Sequence, residues 1–167
     1  IIAIALAAVL MFIFPLMTMS DRTDDVSQLT VDTATTEFVD EIRTTGKITQ
    51  QRYNQFLQTI TSTGNTYDVE MEVRILDENP GKKATQAETD KIGENVYYSI
   101  YTSQIEQELN SEDAEYKLKE GDIVSVSVKN TNQTLAQQLK NFFYTVAGND
   151  TYTIAASHGG IVTATGK

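Results

Sequence analysis

The side chains with reactive potential are few. His158 is the only histidine, so a nucleophilic triad would have to be built on it, and it sits directly before Gly159-Gly160 in a stretch that reads as a turn. There is no cysteine, which excludes a disulfide framework, thiolate chemistry and any Cys-based metal site. Asp77-Glu78-Asn79 gathers three oxygen-bearing side chains before Pro80-Gly81, but without the spacing or bidentate glutamate of an EF-hand loop, and it reads as a plain turn. No Walker loop, dinucleotide fingerprint or HExxH helix occurs. Tyr97, Tyr98 and Tyr101 read as aromatic bodies at a helix–sheet junction with wet hydroxyls. Two sequons, Asn132-Gln133-Thr134 and Asn149-Asp150-Thr151, make Asn132 and Asn149 candidate glycosylation sites. The chain therefore reads as a non-enzyme, with no catalytic, metal or cofactor site.

The acidic balance adds an exclusion. A net charge of −10, with the basic residues scattered, leaves no patch able to neutralise a polyphosphate, so no nucleic-acid partner is inferred.

What the sequence does carry is a solvent problem. Residues 1–19, IIAIALAAVLMFIFPLMTM, contain no charge and a single polar side chain, Thr18. As one helix they span about 28 Å, close to the ~30 Å hydrocarbon thickness of a bilayer. Such a helix, apolar all round, must be enclosed by lipid or by many copies of something equally apolar. The run lacks the basic n-region and A-x-A-like end of a signal peptide. If a leader is removed, the cut is expected ahead of the apolar run, which the mature chain keeps.

A retained apolar helix with a proline late in it, followed by an acidic α+β head, resembles the layout of type IV pilins and pseudopilins, most like Tad-type (TadE-like) pilins. The resemblance is one of layout, without a motif. Most of that family has a glutamate at the fifth mature position, whereas here Ala5 stands there and no acidic residue precedes Asp21. Either subunits dock without that carboxylate, or the mature chain starts elsewhere. The resemblance implies identical subunits as partners, insertion in the cytoplasmic membrane before assembly, and then an extracellular filament at the cell surface, a fimbrium with a role such as adhesion. Filament-core packing is expected from Ile1, Ala3, Ala5, Ala7, Ala8, Leu10, Phe12, Phe14 and Pro15. Pro15 removes a backbone donor, so a kink or melting over residues 11–15 is expected. The alternative is a single-pass membrane-anchored protein with an extracytoplasmic ligand- or partner-binding domain. Only Arg22 lies close to the apolar run, so the head is expected to face outward.

Beyond the run, residues 20–33 read as a polar linker and residues 34–167 as a single head. A short helix over 35–45, with Gly46 as its left-handed cap, and a second helix N-capped by Thr49 form a hairpin. Ile48 is expected to staple onto Tyr53. Tyr67, Val69, Met71, Val73 and Ile75 alternate with charged residues as a half-buried strand, and the valines of 123–128 do the same. The capping-box pattern Thr85-Gln86-Ala87-Glu88 starts an expected long helix over 85–110. A further amphipathic helix over 134–147 carries Phe142 and Phe143, facing either its own core or a neighbouring subunit. A terminal hairpin around His158-Gly159-Gly160 closes the chain. The expected architecture is α+β: a long apolar N-terminal helix, then an antiparallel sheet packed against a long helix.

Overall fold

The structure, a computed structural model, describes residues 1–77, 97–144 (142–144 as helical backbone) and 153–167. One helix dominates. Helix α1 (Ile2–Thr45) runs unbroken through Pro15 and through the positions read as a linker. The melting expected at 11–15 is not seen, since a single proline leaves only one carbonyl short of its helical donor. Residues 20–33 are helical because tertiary burial outweighs their polar composition. Ser20, Asp24, Ser27, Val31, Ala34, Thr35, Phe38, Val39 and Ile42 repeat at helical spacing and are all buried. The Thr and Ser hydroxyls bond back one turn, as in Ser27 Oγ to the Thr23 carbonyl at 2.8 Å and Thr35 Oγ1 to the Val31 carbonyl at 2.7 Å.

The expected cap is in place. Gly46 adopts φ +70°, and its N–H donates to the Ile42 carbonyl at 2.8 Å. The C-terminal tail crosses here, with the Thr163 N–H on the Arg43 carbonyl at 2.8 Å and the Gly166 N–H on the Leu118 carbonyl at 2.9 Å. A Cβ on Gly46 would collide with the Ala164 carbonyl oxygen and the Gly166 nitrogen. Gly46→Ala should therefore destabilise the head by about 2–4 kcal/mol, combining left-handed strain with overpacking. Gly64→Ala, at φ +83° but with nothing within 4 Å, should lose only the strain part. Urea denaturation of the two variants checks the difference.

Strand β1 (Lys47–Thr49) leads into α2 (Gln50–Thr61), where the Thr49 hydroxyl accepts from the Arg52 N–H at 3.3 Å as the cap. Ile48 and Tyr53 are both buried, and the Phe38 and Phe56 rings stack at 4.6 Å, joining α2 to α1.

The sheet holds β2 (Tyr67–Leu76), β3 (Tyr97–Tyr101), β5 (Ile123–Asn130) and β6 (Ala155–Ile161) in the order β3-β2-β5-β6, antiparallel throughout. Between β3 and β5 in the chain lie α3 (Thr102–Leu109) and β4 (Glu115–Lys117), which pairs with β1. Helix α4 (Leu135–Tyr144) follows β5. Val69↔Val128 and Met71↔Val126 set the buried face, and Glu70↔Ser127 and Glu72↔Ser125 the outer one.

The antiparallel sheet does pack against a long helix, but that helix is α1. Of the expected helix over 85–110, the described residues hold α3 alone. Tyr97–Tyr101 is a strand, its aromatic run preferring the pleated surface, and residues 85–96 lie outside the described residues. The terminal hairpin is likewise replaced by one strand. A Cβ on Gly160 would lie 2.6 Å from Arg43 Nε, and one on Gly159 3.0 Å from the Val124 carbonyl, so these glycines allow close packing, not a turn.

Strand β6 runs alongside α1. Gln28 bonds both the N–H and the carbonyl of Ala155, and Arg43 Nε donates to the Ile161 carbonyl. Six residues of strand cover ~20 Å and fifteen of helix ~22 Å, so the two elements match in length.

Candidate functional site

The residues expected to pack a filament core all fall on the free arm of α1. Ile1, its N-cap, and Ala3, Ala5, Ala7, Ala8, Leu10, Phe12, Phe14 and Pro15 are exposed, and none of the apolar 18-residue window is buried by the head. The arm is long and apolar enough to cross a membrane. At ~100° per residue, Ala3 and Ala7 lie on one side of the helix while Ala5 and Ala8 lie on others, interleaved with large side chains. Phe12 is 78% and Phe14 64% exposed, an unusual load of bare aromatic surface.

The arm joins the head at a neck that sequence reasoning missed. Asp24 is buried and accepts a 2.6 Å hydrogen bond from Thr134 Oγ1, and Lys140 Nζ lies 2.6 Å from Asp21 Oδ1. Thr134 also caps α4, accepting from the Gln137 N–H at 3.2 Å. A run of polar residues at i, i+4 and i+7 (Ser20, Asp24, Ser27) was the available signal. It is easily taken for a solvated linker because it lacks apolar side chains.

The remaining candidates are dispersed. His158 lies on β6 with Nε2 3.6 Å from Asp40 Oδ1, and Asp40 is also held by Arg43 at 2.9 Å. Among the described residues no group of three His, Asp or Glu side chains is placed to hold a metal. Asp77 directly follows β2, and the rest of its turn lies outside the described residues. Asn132 is tied into the head: its Oδ1 accepts from the Thr66 N–H and its Nδ2 donates to Asn65 Oδ1, both at 2.9 Å, while Thr134 of the same sequon is buried. A folded head thus engages the amide that a glycan would need. Asn149 lies outside the described residues, as do the side chains of Phe142 and Phe143. Tyr98 and Tyr101 are exposed, and Arg74 sits 5.2 Å over the Tyr97 ring.

Two phenols, Tyr53 buried and Tyr116 half-buried, report on the head instead. Burial, reinforced by the 2.8 Å hydrogen bond to Glu106, pushes the Tyr53 hydroxyl well above its ordinary range, and burial pushes Tyr116 up to about 12. Both folded-state values exceed the unfolded one. Their contribution to stability is therefore complete below about pH 10 and lost as pH rises towards 12. Melting temperature should fall across that window, and Tyr116→Phe should flatten the fall, as read from thermal melts in a pH series.

No protein-family model matches the chain, and no curated protein or solved structure is significantly similar to it.

Proposed function

We propose that the chain is a structural subunit of an extracellular type IV pilus-like filament, with apolar arms bundled in its core and acidic heads outside. The supporting observation is the unbroken α1, whose bare first half and buried second half are one helix. A tether for an independent binding domain needs no fixed angle between anchor and head. A polymer does, because every head must repeat the orientation of its core helix. The small residues on several sides of the arm suit close approach by several neighbours.

On this reading the subunit waits in the cytoplasmic membrane before assembly, head outward, and finishes at the cell surface. Electron microscopy of material sheared from cells tests it, with immunogold labelling of the head. Labelled thin filaments are expected. Protein confined to the membrane fraction, with none in the sheared fraction, would leave only the single-pass anchored reading.

A further inference from the structure

The face of the sheet turned away from α1 has no part in the proposed function. His158 and Gly160 of β6 meet Asp40 and Arg43 of α1, so their alternates Ser157 and Gly159 lie on the opposite side. Two rows cross that side from strand to strand: Tyr101, Glu72, Ser125 and Gly159, then Glu70, Ser127 and Ser157. At ~4.8 Å between strands the first row is ~14 Å wide, and the rows lie ~7 Å apart along the strands.

Side-chain size gives this face its relief. Tyr101 is 58% exposed and stands at one side with the two glutamates next to it, while serines and a glycine keep the floor low. The resulting groove, of about 530 Å³, is lined by Tyr101, Glu70, Glu72, Ser103, Ser125 and Ser127 among others, and falls inside the ~300–1,000 Å³ range of small-molecule sites. Its wall is held in place. Ser99 Oγ donates to Glu72 Oε1 at 2.7 Å, the Tyr101 N–H donates to Gln104 Oε1 at 3.0 Å, and Thr102 Oγ1 accepts from the Met71 N–H at 2.7 Å, which ties the start of α3 to the floor strand.

The lining selects its ligand by chemistry. It contains no Lys or Arg, so an anion would meet two carboxylates with nothing to offset them. A hydrocarbon would leave the hydroxyl groups of the floor without partners. An aromatic wall, carboxylate acceptors and hydroxyls that both donate and accept suit a molecule with hydroxyl groups around its edge and C–H groups on its face. We infer that the groove binds a neutral saccharide, one pyranose ring stacked on Tyr101 with its hydroxyl groups donating to Glu70 and Glu72 and exchanging hydrogen bonds with Ser125 and Ser127. A cationic peptide would answer the carboxylates, but its aliphatic stems would lie on the serine hydroxyls. The site is the same whether the arm ends in a filament or in a bilayer. In a filament it repeats at every subunit, so weak single contacts gain avidity.

The full chain is held in lauryldimethylamine oxide, a detergent without a sugar headgroup, and probed with lactose, maltose, cellobiose and N,N′-diacetylchitobiose by saturation-transfer NMR. Expected is transfer to the ring C–H protons of at least one disaccharide with millimolar affinity, weakened ~tenfold or more by Tyr101→Ala and kept by Tyr101→Phe. Ser127→Leu fills the floor and should weaken binding as much; it decides the matter if Tyr101→Ala lowers the melting temperature. Four disaccharides without transfer, or transfer that survives both Tyr101→Ala and Ser127→Leu, would overturn the inference. So would a trilysine peptide that binds with this residue dependence while no sugar does. None of these outcomes touches the filament reading, which the sheared material tests.

Discussion

Replacing Ala7 and Ala8 together with Leu should abolish or distort filaments while leaving membrane insertion intact or improved. Both alanines lie on the arm that the head leaves bare. In lipid, added methylenes make insertion more favourable, and a simple anchor would show no phenotype. Between helices the effect reverses, because small residues let backbones approach where Leu would hold them apart. Overpacking of ~1–3 kcal/mol per site recurs at every subunit of a polymer, which multiplies a modest local cost. Membrane fractionation checks insertion and microscopy of sheared material checks assembly. Normal filaments containing the double variant would rule out the filament-core role.

The second large effect concerns where the head begins. A chain starting at Ser20 should be soluble and unfold cooperatively, because none of the apolar window before it is buried in the head. A chain starting at Thr30 should be strongly destabilised. It loses the buried Asp24 carboxylate bonded to Thr134, the contact of Asp21 with Lys140, and the two bonds by which Gln28 holds Ala155. At ~0.5–1.5 kcal/mol for an ordinary hydrogen bond and ~1.5–3 for one to a charged group, the deficit is about 3–6 kcal/mol. That is comparable to the whole stability of many domains. Calorimetry of the two truncations decides it. Equal melting temperatures would show that the neck does not support the head.

Reading the head as starting at residue 34 therefore misses its spine, and the reason is physical. Periodicity is easily seen where apolar residues carry it, as at Tyr53, Phe56 and Ile60 of α2 or in the alternation of β2, and there expectation and structure agree. In residues 20–30 the buried stripe is Ser20, Asp24 and Ser27, residue types that usually mark solvent. Only tertiary partners such as Thr134, more than a hundred residues later, make them interior. The strand at Tyr97–Tyr101 fails in the opposite way. Ile100, Ile105 and Leu109 keep nearly helical spacing across a boundary where Tyr101 ends a strand and Thr102 begins a helix. Gly159 and Gly160 read as a turn because glycine's commonest use is conformational, whereas here the missing Cβ makes room for Arg43 and the Val124 backbone. The arm, by contrast, is legible from composition as a long apolar helix, although the melting expected at residues 11–15 does not occur.

One consequence of the continuous helix is mechanical. Strand β6 lies along α1 and is fastened near both ends, at Gln28 and at Arg43, while the C-terminal tail bonds the Arg43 carbonyl beyond it. Tension applied at the arm therefore runs along the shared axis and loads these contacts in shear, all at once, instead of peeling them open in sequence. A head fastened in this way resists being pulled off its own stem, with little compliance at the joint.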